Sequence, residues 1–435
     1  MLPIKPFYYL SKLFGLCPYP LDAGTVSGKT RTGQAGHLLP TFAALLFYHF
    51  TMASIFWRSG GASEISAAAN WIQFLPNSFA YVYAIACALQ NRALSLDILS
   101  TIELCDEKLR NQLGICFMEP NSKVKRYTIL ASLVIVTCGS ALCGLNFMIG
   151  VNWSEIWTLF YWIAFCMPKV GLLIFSFQFA GSIMLLSNRS ILLLNAIDNY
   201  LGEIEQQMKC KPLGLIDFSN QDPPSYRKLT PVAPVVGSMV KVRPMLSSDT
   251  IETVGQVTVH LQQLATKIND CFGKQAIFSL LSAFISITVQ LYYLLNQIRT
   301  EFAYQGAVLH GLAAGSILVL HGLEFWVLFT SGEKVRHKWR KLINCVFLAK
   351  AKSSDSEYRA KLDDLIAFMT CNVPEFHAYG FFPIDFSVLT GMASSITTYL
   401  IVLIQFKISE EEETGTQGKS TQQGTGQYSP FFMGK

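Results

Sequence analysis

Seven stretches of this chain are apolar over spans of membrane-crossing length, near 38–57, 71–90, 127–150, 158–187, 276–297, 307–329 and 385–407. A helix needs about 20 such residues to cross a hydrocarbon core of about 30 Å. No other feature of the sequence narrows the fold as much. In hydrocarbon every backbone N–H and C=O must be satisfied internally, which leaves helices and closed barrels, and runs of this length select helices. The fourth run is longer than a bilayer requires and is predicted to extend past it. The second is the weakest, because Gln73, Pro76 and Asn77 interrupt its start. Only 14% of the 435 residues are charged and 51% are hydrophobic, against roughly 25% charged in a soluble domain. The expectation is an all-α membrane protein with seven transmembrane helices.

Lys and Arg orient it. The segments 1–37, 91–126, 188–275 and 330–384 hold 28 of the 34 basic residues, and the alternate segments with the C-terminal tail hold five. Basic residues collect on the cytosolic side, so the N-terminus is expected in the cytosol and the C-terminus outside. The short patch from Phe7 to Cys17, broken by Lys12 and flanked by prolines, does not read as a signal peptide. It reads as an interfacial segment within a cytosolic arm, 1–37. Asn152-Trp153-Ser154 is a glycosylation sequon on the outer side. A basic face for nucleic acid is absent, since the cations flank apolar runs.

The inner loops carry one-sided apolar stripes. Ile98, Ile102, Cys105, Leu109 and Leu113 form one, and Leu194, Ile197, Leu201 and Ile204 another. Val257, Leu261, Leu264, Ile268 and Cys271 step four-three-four-three, close to a coiled-coil seam, and Tyr358, Leu362, Leu365 and Met369 form a fourth stripe. Packed together they predict a cytosolic helical anchor built from 91–126, 188–275 and 330–384. The alternative is a set of helices lying on lipid, which Asp106, Glu107, Asp363 and Asp364 disfavour at an anionic surface. Six prolines in 210–248 predict a mobile linker. The segment from 408 to 435, with its glutamates and a Gly/Thr/Gln/Ser run, predicts an extracellular disordered tail.

Catalytic signatures are missing: there is no phosphate-binding Gly loop, nucleophile elbow or pocketed carboxylate pair, so an enzyme and a cofactor are not expected. The 11 cysteines fall in apolar runs (Cys87, Cys138, Cys143, Cys166) or in inner segments, and reduced thiols are expected. None has zinc spacing. The third run lacks an Asp-Arg-Tyr end and the last lacks Asn-Pro-x-x-Tyr, which gives little support to a G-protein-coupled receptor, and a transporter's inverted repeat is not visible.

What remains is polarity inside the membrane. The outer halves of the runs hold Asn77 and Tyr81, Asn146, Tyr161 and Trp162, Gln290, Tyr293 and Asn296, and His310. Aromatic surfaces with a few amides suit a small organic ligand. The same residues also fit an interfacial aromatic belt and interhelical hydrogen bonding. Lys169 and Glu324 are intramembrane charges and hence candidate functional groups, although Lys169 can snorkel and Glu324 can reach the inner interface. Nothing in the sequence pairs them. His321, one turn from Glu324, reads as its hydrogen-bonding partner. In the last run Thr398, Ile401, Val402 and Gln405 share one helical face, a polar-apolar-polar stripe that must meet protein or water. It can glue helices or line a pore.

The sequence Thr398-Tyr399-Leu400-Ile401-Val402-Leu403-Ile404-Gln405-Phe406, in the last apolar run, resembles the signature of the insect gustatory receptor family. Gly380-Phe381-Phe382-Pro383-Ile384-Asp385 is similar to the turn before that family's seventh span. The resemblance implies a tetrameric ligand-gated cation channel of identical or related subunits in the plasma membrane of a sensory neuron. The helix 385–407 would line the pore, with Thr398, Ile401, Val402, Gln405 and Phe406 at the constriction. The six-helix region 38–329 would bind a small tastant. Sugar receptors of that family usually carry Glu after the Thr-Tyr pair. Leu400 stands here, so a bitter-type receptor is expected before a fructose-type or internal nutrient sensor.

Overall fold

The computed structural model describes residues 5–18, 39–43, 46–50, 64–114, 120–150, 156–210, 248–299, 305–353 and 356–418. Its elements are α1 (Lys5–Leu13), α2 (Glu64–Gln90), α3 (Arg92–Asn111), α4 (Pro120–Gly150), α5 (Ile156–Cys210), α6 (Ser248–Arg299), α7 (Gln305–Lys352), α8 (Ser356–Cys371) and α9 (Phe386–Gly418). Strands are absent among the described residues; a single bridge pairs His377 with Pro383. Five helical stretches are long and apolar enough to cross a membrane: Arg126–Leu145, Phe165–Asn199, Thr250–Leu295, Val308–Lys352 and Phe386–Gln405. A shorter apolar helix lies at Leu39–Phe50. The helix α2 covers the second run and continues through Pro76, as membrane helices do when neighbours satisfy the freed carbonyl.

Three helices exceed any bilayer. With 55, 52 and 48 residues, α5, α6 and α7 are about 70–80 Å long at 1.5 Å per residue. Each is apolar on several faces in one half and striped in the other. The striped halves gather with α3 and α8 into one bundle. Ile98, Ile102, Cys105, Leu109 and Leu113 of the α3 region bury against Val257, Leu261, Leu264, Ile268 and Cys271 of α6, and Leu362, Leu365 and Met369 of α8 lie in the same core. Polar contacts fix the register. Arg189 donates to both carboxylate oxygens of Asp106 at 2.9 and 2.7 Å, Lys267 pairs with Asp97 at 2.9 Å, and Trp339 Nε1 donates to the Met369 carbonyl at 3.0 Å. Burial pushes the Cys105 thiol up to about 11, with the neighbouring Asp106 adding to the rise.

In the apolar halves α5 occupies the middle. Leu173, Ile174, Phe175 and Phe179 are fully buried, and α7 packs along α5 in the parallel sense, with Ser176 meeting Glu324 and Ser187 meeting Lys338. The helices α4 and α6 run antiparallel to α5. The N-terminal patch departs from the interfacial expectation: Phe7, Tyr8, Leu16 and Cys17 are buried, and the Phe14 carbonyl accepts a hydrogen bond from Tyr81 at 3.0 Å. Part of its apolar surface docks on the bundle, while Tyr9 and Leu13 stay exposed. The last helix also differs in length, since α9 continues to Gly418, beyond the 407 expected. The linker 211–247, Asn152 and residues 419–435 lie outside the described residues.

Candidate functional site

A buried polar stripe runs along α6. Gln275, Ser279, Ser282, Ser286 and Gln290 are all buried, spaced four, three, four and four, so they share one face. Two clusters use it. Asn77 of α2 accepts from Ser282 at 2.8 Å and donates to Ser286 at 2.7 Å. One turn away, Glu324 of α7 accepts from Ser279, from Ser176 of α5 at 3.3 Å, and from His321 Nδ1 at 3.0 Å. Glu324 and His321 are both 0% exposed, so the carboxylate does not reach an interface; it joins three helices. Hydrogen-bond donors around a buried carboxylate offset its desolvation. Among the described residues the buried His321 Nε2 has no hydrogen-bond partner.

Lys169 is likewise 0% exposed and does not snorkel. Its ammonium donates to the Phe165 carbonyl at 3.3 Å and lies 3.4 Å from the centre of the Phe165 ring, a cation–π contact. Among the described residues it has no carboxylate partner.

The residues read as ligand-facing divide by what they already hold. Asn77 and Tyr81 are buried, and their polar atoms are engaged by the two serines and the Phe14 carbonyl. The opposition of Ser279 and Glu324 sets the antiparallel register of α6 and α7. Carried along both helices, it places Tyr293 level with His310 and Gln290 one turn nearer the polar clusters. Gln290 is buried, and Tyr293 and His310 are half-buried. Asn146, Tyr161, Trp162 and Asn296 are placed by backbone only, within the same ends of α4, α5 and α6. The serines were missed from sequence, though the Gln/Ser spacing from Gln275 to Gln290 carried the signal.

The turn before α9 is tightly held. Ala378 and Ile384 donate to the Phe382 and Phe376 carbonyls at 3.0 and 2.7 Å, and Tyr379 and Gly380 take φ of 51° and 77°, the left-handed values that tight reversals need. The turn lies between two glycines. A Cβ on Gly273 of α6 would stand 2.8 Å from the His377 carbonyl oxygen, and one on Gly332 of α7 would stand 3.0 Å from that of Ile384. Asn269 accepts from the His377 N–H at 2.8 Å. Asp385 caps α9, accepting from the Ser387 N–H at 3.0 Å and from its hydroxyl, and Arg336 of α7 pairs with it at 3.5 Å. The Ser387 hydroxyl, then the cap N–H groups and Arg336, hold the Asp385 carboxyl below its ordinary value of 3.8.

Beyond this anchorage the described residues leave α9 largely uncovered, with Tyr399 meeting Phe284 of α6 edge-on. Between 386 and 405 Ile396 alone is buried, and Thr398, Ile401, Val402 and Gln405 are exposed. The backbone at Phe406 continues the helix.

Fold and site together define a polytopic α-helical membrane protein with a buried polar core and a terminal span that the described residues leave largely uncovered. Residues 4–410 match the family described as 7tm Chemosensory receptor, and the chain belongs to that family. It is 28% identical over 151 residues to gustatory and pheromone receptor 32a of Drosophila melanogaster, covering 34% of this chain and 31% of that protein. It is 22% identical over 271 residues to the putative gustatory receptor 2a of the same organism, covering 58% and 57%. The matched stretches thus span from about a third to just over half of these relatives. Structures of the insect olfactory receptor OR5 from Machilis hrabei, with eugenol and without, share the fold with TM-scores of 0.61 and 0.62. They cover 93% of this chain and 97% of theirs at 12% and 11% identity. The terminal motif had pointed to this family.

Proposed function

We propose that the protein is a taste receptor that works as a ligand-gated, non-selective cation channel, with four identical or related subunits sharing one pore. The observation that carries this reading is the bareness of α9. The Thr398 hydroxyl is satisfied on the Ser394 carbonyl of its own helix, but the Gln405 amide cannot face hydrocarbon without cost, and the described residues of its own chain leave it exposed. One copy from each subunit around a common axis gives rings of Ile401 or Val402, which close by dewetting, and of Gln405 and Phe406 at the narrow end. Neutral amides pass cations with weak selectivity. The tastant is a small, largely apolar molecule with hydrogen-bonding groups. Tyr293 and His310, level on the α6–α7 seam, Gln290 one turn nearer the polar clusters, and Asn146, Tyr161, Trp162 and Asn296 in the same ends of their helices are the residues to contact it. Asn77 and Tyr81 brace that region from beneath. Leu400 favours a bitter-type ligand over a sugar. The receptor sits in the plasma membrane of a sensory neuron with its N-terminus cytosolic and Asn152 outside.

The test is electrical recording from cells expressing this chain, with a panel of tastants. Gln405→Ala and Ile401→Ala are expected to change permeability ratios or basal current at unchanged surface expression. Wild-type ratios in both variants, or a response that needs added nucleotide in excised patches, would overturn the channel reading.

A further inference from the structure

The helices α4 and α5 meet in a register that two independent contacts agree on. Near the anchor end the Tyr127 ring lies 3.5 Å from where a Cβ on Gly181 would stand. Three turns along α4, the absent side chain of Gly139 lets Val170 approach to 3.4 Å of its Cβ position. One further turn along the same two faces brings Cys143 level with Cys166 across the seam, and both are free thiols. Cys166 is 2% exposed, whereas Cys143 is exposed on the flank of α4, within the membrane-crossing stretch Arg126–Leu145. The buried Lys169 follows Cys166 by one turn of α5. None of this is used by the pore or by the α6 polar stripe.

We propose that Cys143 and Cys166 form a reversible disulfide, written by a membrane-permeant peroxide that reaches Cys143 from the bilayer. Thiols level with each other on close-packed helices need only rotamer changes to reach bonding geometry, and a peroxide-accessible thiol backed by a resolving thiol is the arrangement of a redox-responsive pair. The Cys143 sulfur attacks one peroxide oxygen; the O–O bond breaks, an alcohol or water leaves with the thiol proton, and Cys143 becomes a sulfenic acid. The Cys166 sulfur then attacks the Cys143 sulfur and displaces hydroxide, which leaves as water with the Cys166 proton. Two thiols and one peroxide thus give one disulfide, one alcohol (or water) and one water. The bond joins α4 to α5 across the short 151–155 connection, one turn from Asn146 and Trp162. It sits where the two helices enter the proposed ligand region.

The test uses the full-length receptor in cell membranes. It is exposed to hydrogen peroxide and denatured in SDS, its free thiols are then blocked with maleimide, and it is digested and read by mass spectrometry with and without dithiothreitol. The expected result is parallel loss of maleimide from Cys143 and Cys166, with a dithiothreitol-sensitive peptide joining them. The link should vanish in Cys143→Ser and Cys166→Ser and persist in Cys138→Ser. The wild-type measurement stands even if a variant fails to fold. The proposal is overturned if both residues keep their maleimide at a peroxide dose that oxidises the exposed Cys371. It is equally overturned if the linked peptide joins Cys166 to Cys138, or joins two chains.

Discussion

Replacing Gly273 by alanine tests whether the turn before α9 is clamped by close backbone approach. The new methyl would stand 2.8 Å from the His377 carbonyl oxygen, with Asn269 Oδ1 at 3.5 Å. Ordinary carbon–oxygen contact begins near 3.4 Å, so the overlap is about half an ångström against backbone, which has no rotamer to yield. Insertions of this kind cost about 1–3 kcal/mol, and relief by moving the turn would weaken the Asn269–His377 hydrogen bond, worth about 1 kcal/mol. Alanine otherwise favours a helix over glycine by about 0.5–1 kcal/mol, so the net loss is about 1–3 kcal/mol. Gly391→Ala on α9 is the control: nothing lies within 4 Å of its Cβ position, and it should be neutral or slightly stabilising. In detergent the two variants should separate by about 1–3 °C in Tm, at roughly 1 °C per kcal/mol for a chain of this length. Gly273→Ala should also shift basal open probability, because the turn sets where α9 begins. Equal Tm and equal basal current in the two variants would refute the clamp.

Two further outcomes follow from the polar contacts. Asp385 has its folded pKa held below 3.8, so its stabilisation is complete above that value and is lost as pH falls through the lower folded one. The Tm gap between wild type and Asp385→Asn should therefore narrow below about pH 4, and a gap constant across that range would refute its role as a charged cap. Glu324→Leu leaves the His321 donor and two serines without their acceptor and should cost about 3 kcal/mol. Glu324→Gln keeps an acceptor and should cost less than half of that, so equal losses in thermal-shift measurements would contradict the hydrogen-bonded account.

The long apolar runs and the anchor stripes were legible because bilayer thickness and helical period act locally along the chain. The 98–113, 257–271 and 362–369 stripes can be traced before any partner is known. Which polar groups meet was not legible. Glu324 and Lys169 looked alike as intramembrane charges, yet one holds three donors and the other only its own helix. That difference is set by the rotation of α5, α6 and α7 about their axes. Asn77 and Tyr81 looked available to a ligand for the same reason: residue type shows hydrogen-bonding capacity, whereas register shows whether it is already used. The docking of Phe7 and Leu16 escaped notice because a short amphipathic helix reads the same against lipid as against protein.

The glycine clamp and the Ser279–Glu324 contact lie on the same pair of helices, and this suggests how a ligand could act at a distance. Tyr293 and His310 sit at one end of the α6–α7 seam and Gly273 and Gly332 near the other, about 30 Å apart for the 20 residues between Tyr293 and Gly273. Between them the carboxylate of Glu324 pins α6 to α7 and, through Ser176, to the buried α5. A seam pinned in its middle and wedged at one end rocks about the pin. The turn wedged between the glycines at the opposite end must follow both helices. Because α9 is otherwise largely exposed among the described residues, resting on α6 through Tyr399 and Phe284, movement of that turn passes along its length. In the proposed channel, binding at the ligand end thereby reaches Ile401 and Gln405 without any contact between ligand and pore helix. Loosening the pin by Glu324→Leu should then weaken coupling between ligand occupancy and current beyond its effect on stability.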